Sequence, residues 1–225
     1  MEVYMDDWRV DLLKKYDLPF VMIGRCADNT SLSFIDMEFE SAIVTAVDHL
    51  VELGHRRIGF FNSGALRTDG YGPAVRAFYG YERAREKHSI ELLPFEMGYT
   101  EKAVEALFEA KVSAVVLGTQ HSELSLPEFL RAIHFRGCRI PEDLSVVCLH
   151  ADDIAKNLIL PLTTITFDIN TAADWAAKTL INQLEGRSTD VEQVILPPQL
   201  IIRESTMPIP VWSKNLIKGA TEPES

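Results

Sequence analysis

The sequence is poor in cysteine, with three in 225 residues. Cys26, Cys138 and Cys148 are widely spaced and form no Cys-x-x-Cys pair. That argues against a disulfide framework and against a zinc site, and leaves reduced, mostly buried thiols. Basic residues are also scarce: 22 Lys and Arg stand against 33 Asp and Glu, a net charge of −11. Nucleic-acid binders need clustered cations to displace counterions from phosphate. Beyond the short pair Arg56-Arg57 there is no such cluster, so this chain alone is expected not to bind DNA. No apolar run reaches membrane-spanning length, and the acidic start from Met1 to Asp7 lacks a signal-peptide core. A cytoplasmic location with no membrane partner is the expectation.

The usual enzymatic nuclei are missing too. There is no Gly-x-Ser-x-Gly elbow, no Walker loop and no His-Glu-x-x-His. The six histidines are scattered, and none pairs at ligand spacing with a carboxylate set. Asp152-Asp153 reads as a solvated loop before a catalytic pair. Gly70-Tyr71-Gly72 begins like a dinucleotide fingerprint but lacks the third glycine and the preceding strand. No catalytic residue, metal or cofactor is assigned.

What is present is an alternation of short β-branched runs with amphipathic helical stretches, the pattern of an α/β fold with parallel strands. Asp6 to Tyr16 reads as a helix with Trp8, Leu12 and Leu13 inward. Strands are expected at Pro19 to Ile23 and near Leu32 to Asp36. From Phe39 to Leu53, Ile43, Val47, Leu50 and Val51 recur at helical spacing, and Gly54 follows as a left-handed cap. Ile58 to Phe61 is a strand, Val75 to Lys87 a helix, and Ala103 to Phe108 a helical face. Ala114 to Leu117 and Leu144 to Leu149 are buried strands around a helix from Leu124 to Phe135 that Gly137 closes. Thr163 to Phe167 is extended, Ala173 to Leu184 is helical, and Val191 to Leu196 with Gln199 to Glu204 look like a final strand pair. Residues 207–225 turn proline-rich and polar and read as a flexible tail.

Four segments, in order and in register, resemble the core of LacI/GalR transcription regulators. They are Asp48 to Ile58 ("HLxxLGHRRI"), Gly137 to Val147 ("GxRVPEDISVVG"), Pro161 to Ile165 ("PPLTTV") and Leu196 to Thr206 ("LPxxLIxRxST"). Each is weak alone, but four in register from Leu18 to Thr206 are specific. The resemblance implies an α/β fold of two Rossmann-like subdomains, of periplasmic binding protein type I, joined by three crossovers with an effector in the cleft. On this reading residues 1–57 plus 162–190 form an incomplete first subdomain, and 58–161 plus 191–206 the second. It further implies that a helix-turn-helix head, a hinge helix and about three β/α units would precede the strand at Pro19 to Ile23. DNA would then be met only through that absent head. Phe20-Val21-Met22 would be an exposed apolar edge in need of a partner.

The resemblance also implies a ligand site at the carboxyl ends of the strands. Its counterparts here are His150, Thr119, Gln120, Tyr81, Ala77 and Phe167. Sugar-sensing relatives place an Arg three residues before a Gly-aromatic pair; here the pair is Gly80-Tyr81 and that position is Ala77. Arg76 is one residue out of register and is expected to point elsewhere. Gly118-Thr119-Gln120 replaces an "AND" triplet, His150-Ala151 replaces "DD", and Phe167 replaces a common polar residue. Each position carries a bland alternative: a structural histidine at His150, a helix cap at Thr119 and Gln120, packing at Tyr81. Fewer polar groups make an ordinary monosaccharide a poorer fit. A more aromatic or nucleobase-like ligand, or an empty site, gains weight. The implied partners are a small-molecule effector, a sugar or other small metabolite, and a second copy. Helix Phe39 to Leu53 or Val75 to Lys87 is expected at that homodimer contact. A periplasmic-type solute-binding protein, or an enzyme on the same scaffold, remains the alternative.

Overall fold

The computed structural model describes residues 3–63, 67–96, 100–118, 126–149 and 152–209. Two parallel sheets organise them. The smaller has the order β1-β2-β8, with β1 at Met22–Ile23, β2 at Phe34–Met37 and β8 at Gln193–Leu196. The larger has the order β4-β3-β5-β6-β7-β9. Its strands are β3 (Arg57–Asn62), β4 (Glu91–Glu96), β5 (Ala114–Leu117), β6 (Ser145–Leu149), β7 (Thr163–Thr166) and β9 (Gln199–Ile201). Only β9 runs antiparallel among these pairings. The α/β fold with two lobes is as expected.

The central strands read as continuous apolar runs because both of their faces are covered. Every residue of Ala114–Leu117 and Ser145–Leu149 is buried. One face of the large sheet carries α2 (Phe39–Glu52) and α3 (Gly72–Lys87), which pack with Ile58, Phe60, Val116 and Val147. The other face carries α4 (Thr100–Glu109) and α5 (Leu126–Phe135), packed on Phe61, Val115, Leu117 and Val146. A short helix α6 (Asp152–Ala155) follows β6. The small sheet lies between α1 (Trp8–Lys15) and α7 (Ile169–Leu184).

Local chemistry sets the ends of these helices. The Asp7 side chain caps α1 through the Arg9 backbone N–H, and Asp168 caps α7 through Thr171. Gly54, Gly137 and Gly186 leave α2, α5 and α7 with φ of +96°, +70° and +67°, a region that penalises a Cβ.

Several expectations need correction. On α1 the inward residue is Val10, while Trp8 and Leu12 are 70% and 43% exposed. Leu13 is half-buried beside Val10. β4 was not foreseen, because Pro94 sits mid-strand; it is tolerated because β4 is an edge strand. Val191 to Leu196 and Gln199 to Glu204 do not pair with each other. β8 joins β2 in the small sheet and β9 joins β7 in the large one. The lobe boundaries move accordingly. The helix Phe39–Glu52 belongs to the large lobe, since its face of Ile43, Val47 and Leu50 packs there. So does β7, which pairs with β6, whereas β8 belongs to the small lobe. The chain therefore crosses between lobes at 37–39, 166–169 and 196–199 rather than at 57, 161 and 190. The start of the expected tail is pinned: Met207 N–H donates to Ser145 Oγ and Ile209 N–H to the Leu53 carbonyl. Residues 210–225 lie outside the described residues.

β1 is the open edge of the small sheet, as expected. Met22 is buried and Ile23 is 39% exposed. A groove of about 370 Å³ runs along this edge, walled by Val10 and Leu13 of α1 on one side and by Ala173, Ala176 and Leu180 of α7 on the other.

Candidate functional site

In open α/β sheets solutes bind beyond the carboxyl ends of parallel strands. All three crossovers leave from such ends, so the carboxyl edges of the two sheets are brought together. On the large-lobe side the described edge residues include Asn62, Ser63, Gly118, Leu149, Phe167 and Asp168. Asn62 and Ser63 are buried, and Asn62 Nδ2 donates to the Ala74 carbonyl, which fixes the start of α3. Residues 64–66, 97–99, 119–125 and 150–151, which follow β3, β4, β5 and β6, lie outside the described residues.

On the small-lobe side the edge holds a charged cluster. Asp36 is the penultimate residue of β2 and is 4% exposed. Arg25, just past β1, brings Nε to 3.2 Å from Asp36 Oδ2 and Nη2 to 3.6 Å from Glu38 Oε1. Arg25 Nε is buried with no hydrogen-bond partner among the described residues. Arg76 enters from α3, in the other lobe. Its Nε is 3.7 Å from the same Asp36 oxygen, and its Nη2 donates to the carbonyls of Arg25 and Cys26 at 3.1 and 3.0 Å. Burial pushes the Asp36 carboxyl up to about 6 against the pull of the Met37 N–H and both guanidiniums. Burial likewise lowers Arg76.

The same seam carries backbone contacts. Gly72 N–H donates to the Val3 carbonyl at 3.2 Å and Met5 N–H to the Gly70 carbonyl at 2.7 Å. The rings of Tyr4 and Tyr71 meet edge to face at 5.9 Å. A Cβ at position 72 would lie 2.7 Å from the Val3 carbonyl oxygen, so the close approach of the lobes requires glycine there.

The expected ligand residues divide. His150, Thr119 and Gln120 lie outside the described residues. By chain position they immediately follow Leu149 and Gly118, at the ends of β6 and β5. Tyr81 and Ala77 are in the core of the large lobe, 3% and 0% exposed. Tyr81 stacks between Phe60 and Phe78, and its hydroxyl donates to Leu92, near the amino end of β4 and away from the crossovers. Phe167 is 4% exposed and packs its ring 5.4 Å from Phe39 beside the second crossover. These three side chains are spent on packing. Sequence reasoning passed over Arg25 and Asp36 and set Arg76 aside. The one-residue shift relative to Gly80 does turn the Arg76 side chain, but toward the small lobe. The available signal was an Asp closing the apolar run Leu32 to Asp36, where a charge must find a partner.

The chain belongs to the family of periplasmic binding protein-like domains, whose profile matches residues 47–206. Its relatives are helix-turn-helix transcription regulators, in line with the LacI/GalR resemblance of the four segments. An uncharacterized HTH-type transcriptional regulator of Streptomyces limosus is 27% identical over 207 residues, covering 89% of this chain and 58% of its own length. The arabinose metabolism transcriptional repressor of Geobacillus stearothermophilus is 29% identical over 209 residues, covering 88% and 56%. The chain thus spans about six-tenths of the curated relatives it matches. Two solved structures share the fold. The transcriptional regulator CelR in complex with cellobiose gives a TM-score of 0.76 at 24% identity, covering 90% of this chain and 63% of that one. A LacI family transcriptional regulator from Enterococcus faecium with bound ribose gives 0.75 at 22%, covering 89% and 75%. Among the described residues no helix is long and apolar enough to cross a membrane, and no group of His, Cys, Asp and Glu could hold a metal ion.

Proposed function

We propose that this chain is the effector-sensing core of a cytoplasmic transcription regulator and performs no catalysis. A small solute enters between the carboxyl edges of the two sheets and changes the balance between open and closed lobes. The observation that supports this most directly is the arrangement of two parallel sheets tied by three crossovers at those edges. The relatives, two of them solved with cellobiose and ribose, support a small-molecule effector. His150, Thr119 and Gln120 are the proposed contacts from the large lobe, by their place after β6 and β5.

DNA would be met through a separate domain. With a net charge of −11, this chain should leave a DNA fragment unshifted. A homodimer fits the same reading. α2 is mostly buried within the large lobe, so the outer face of α3, with Tyr79 44% exposed, is the better placed of the two helices expected there.

Thermal denaturation against a panel of ribose, cellobiose, nucleosides and aromatic acids tests the effector. A solute bound only by the folded chain at 100 times its Kd adds about 2.7 kcal/mol, a melting shift of several degrees. The shift should shrink on His150→Ala. A panel that moves nothing at millimolar concentration, in a chain that melts cooperatively, would count against solute sensing.

A further inference from the structure

We propose that Arg76 is an interlobe latch that holds the two lobes in one relative placement beside the first crossover. The reading of the molecule as a hinged clamp underlies this.

The topology places the Arg76 contact beside the first crossover. In the small sheet the crossovers leave from β2 and β8, and β1 is the outer strand beyond β2. In the large lobe they enter α2, leave β7 and enter β9. Arg76 sits on α3, which follows β3, and reaches the carbonyls that follow β1. It also meets Asp36 of β2, one residue before the first crossover, so it fixes the lobes close to where the chain passes between them.

The chemistry of the contact is that of a latch rather than a glue. An apolar seam tolerates sliding, since its attraction has no direction. A guanidinium donating from one nitrogen to two successive carbonyls, with its Nε beside a buried carboxylate, accepts one relative placement of the lobes. Buried ion pairs add little net stability but specify register. The Asp36 carboxylate is shared with Arg25 of its own lobe, so it is present whether or not Arg76 is docked. Arg76 crosses the seam beside the Gly72–Val3 and Met5–Gly70 backbone bonds. Breaking its contacts frees two neighbouring backbone bonds, Gly72 to Val3 and Met5 to Gly70.

Amide hydrogen exchange on the full chain, without any solute, tests this. In Arg76→Met the amides of Met5 and Gly72 should exchange about tenfold faster or more, while those of β5 and β6 keep their protection. Small-angle scattering should show a larger radius of gyration. Arg76→Lys keeps the charge but not the fork, and should fall between the two. Unchanged exchange at Met5 and Gly72 with an unchanged radius overturns the latch. If Arg76→Met does not fold, Arg76→Lys decides: faster exchange at Met5 and Gly72 with core protection kept supports the latch, and unchanged exchange sinks it. Because no solute is present, a failure of effector binding leaves this result untouched.

Discussion

His49 Nε2 lies 3.0 Å from Thr206 Oγ1, joining residues 157 apart in the chain. Thr206 also meets Thr163 Oγ1 at 3.1 Å, and Ser205 beside it bonds Val146 and Thr163. One short segment thus fastens α2, β6 and β7 together. Thr206→Val keeps the shape but leaves a buried imidazole nitrogen without that partner. It should lower stability by about 1–3 kcal/mol. Urea denaturation of both proteins measures this, and equal midpoints would show that the bond contributes nothing.

Asp36 and His55 should tilt the pH dependence of stability in opposite directions. Burial holds the Asp36 carboxyl at about 6, above its ordinary 3.8. The folded chain then binds more protons than the unfolded one in that window. Stability from this group is full below about 3.8 and is lost as pH rises through about 6. His55 bonds Ser113 and the Met207 carbonyl, and burial lowers it from 6.5 to about 4. Its contribution is full above 6.5 and is lost as pH falls toward 4. Each amounts to roughly 3 kcal/mol at most. Relative to the parent chain, Asp36→Asn should steepen the loss of stability from pH 6.5 to 4, and His55→Gln should flatten it. Melting curves across that range report the slopes, and changes of slope in the same direction in the two variants would refute the assignment.

Gly80 should resist a change that normally strengthens a helix. In an open helix Gly→Ala gains about 1 kcal/mol. Here a Cβ would lie 2.5 Å from the Glu40 carbonyl oxygen, where α3 crosses α2. Gly80→Ala should therefore destabilise by about 2 kcal/mol or more, because backbone has to move. A higher melting temperature in the variant would show that the two helices can part freely.

The open edge at β1 should make the chain self-associate. The groove beside it is largely apolar, and strand edges of this kind template further pairing. Sedimentation velocity should show association that grows with concentration. Ile23→Lys should reduce it, since an exposed lysine at an edge opposes pairing. A parent chain that stays monomeric at millimolar concentration contradicts this.

The buried strands were legible because continuous apolar runs bounded by turn residues have one reading in a parallel sheet. Ala114–Leu117 was placed to the residue and Ser145–Leu149 to within one. The lobe assignment of Phe39–Glu52 was not, because amphipathic spacing says that a helix has a core face and not which core it meets. The four segments that pointed to the family are joints of the scaffold: His49, His55, Ser205 and Thr206 all tie elements of the large lobe. They therefore located the fold and not the ligand. The destination of the Arg76 side chain was not legible for a related reason. Its register was compared with a residue facing a solute, whereas its partners are the carbonyls of another lobe, which no local pattern reveals.

The third crossover bears on how the chain can be made. Leu196 closes a strand of one sheet, and Gln199 opens a strand of the other, with Pro197 and Pro198 between them. Both sheets thus await their last strand until residues 193–201 have been synthesised. Before then β2 and β7 each present a bare flank, and nascent chains stalled short of Gln193 should depend on chaperones that released chains do not need.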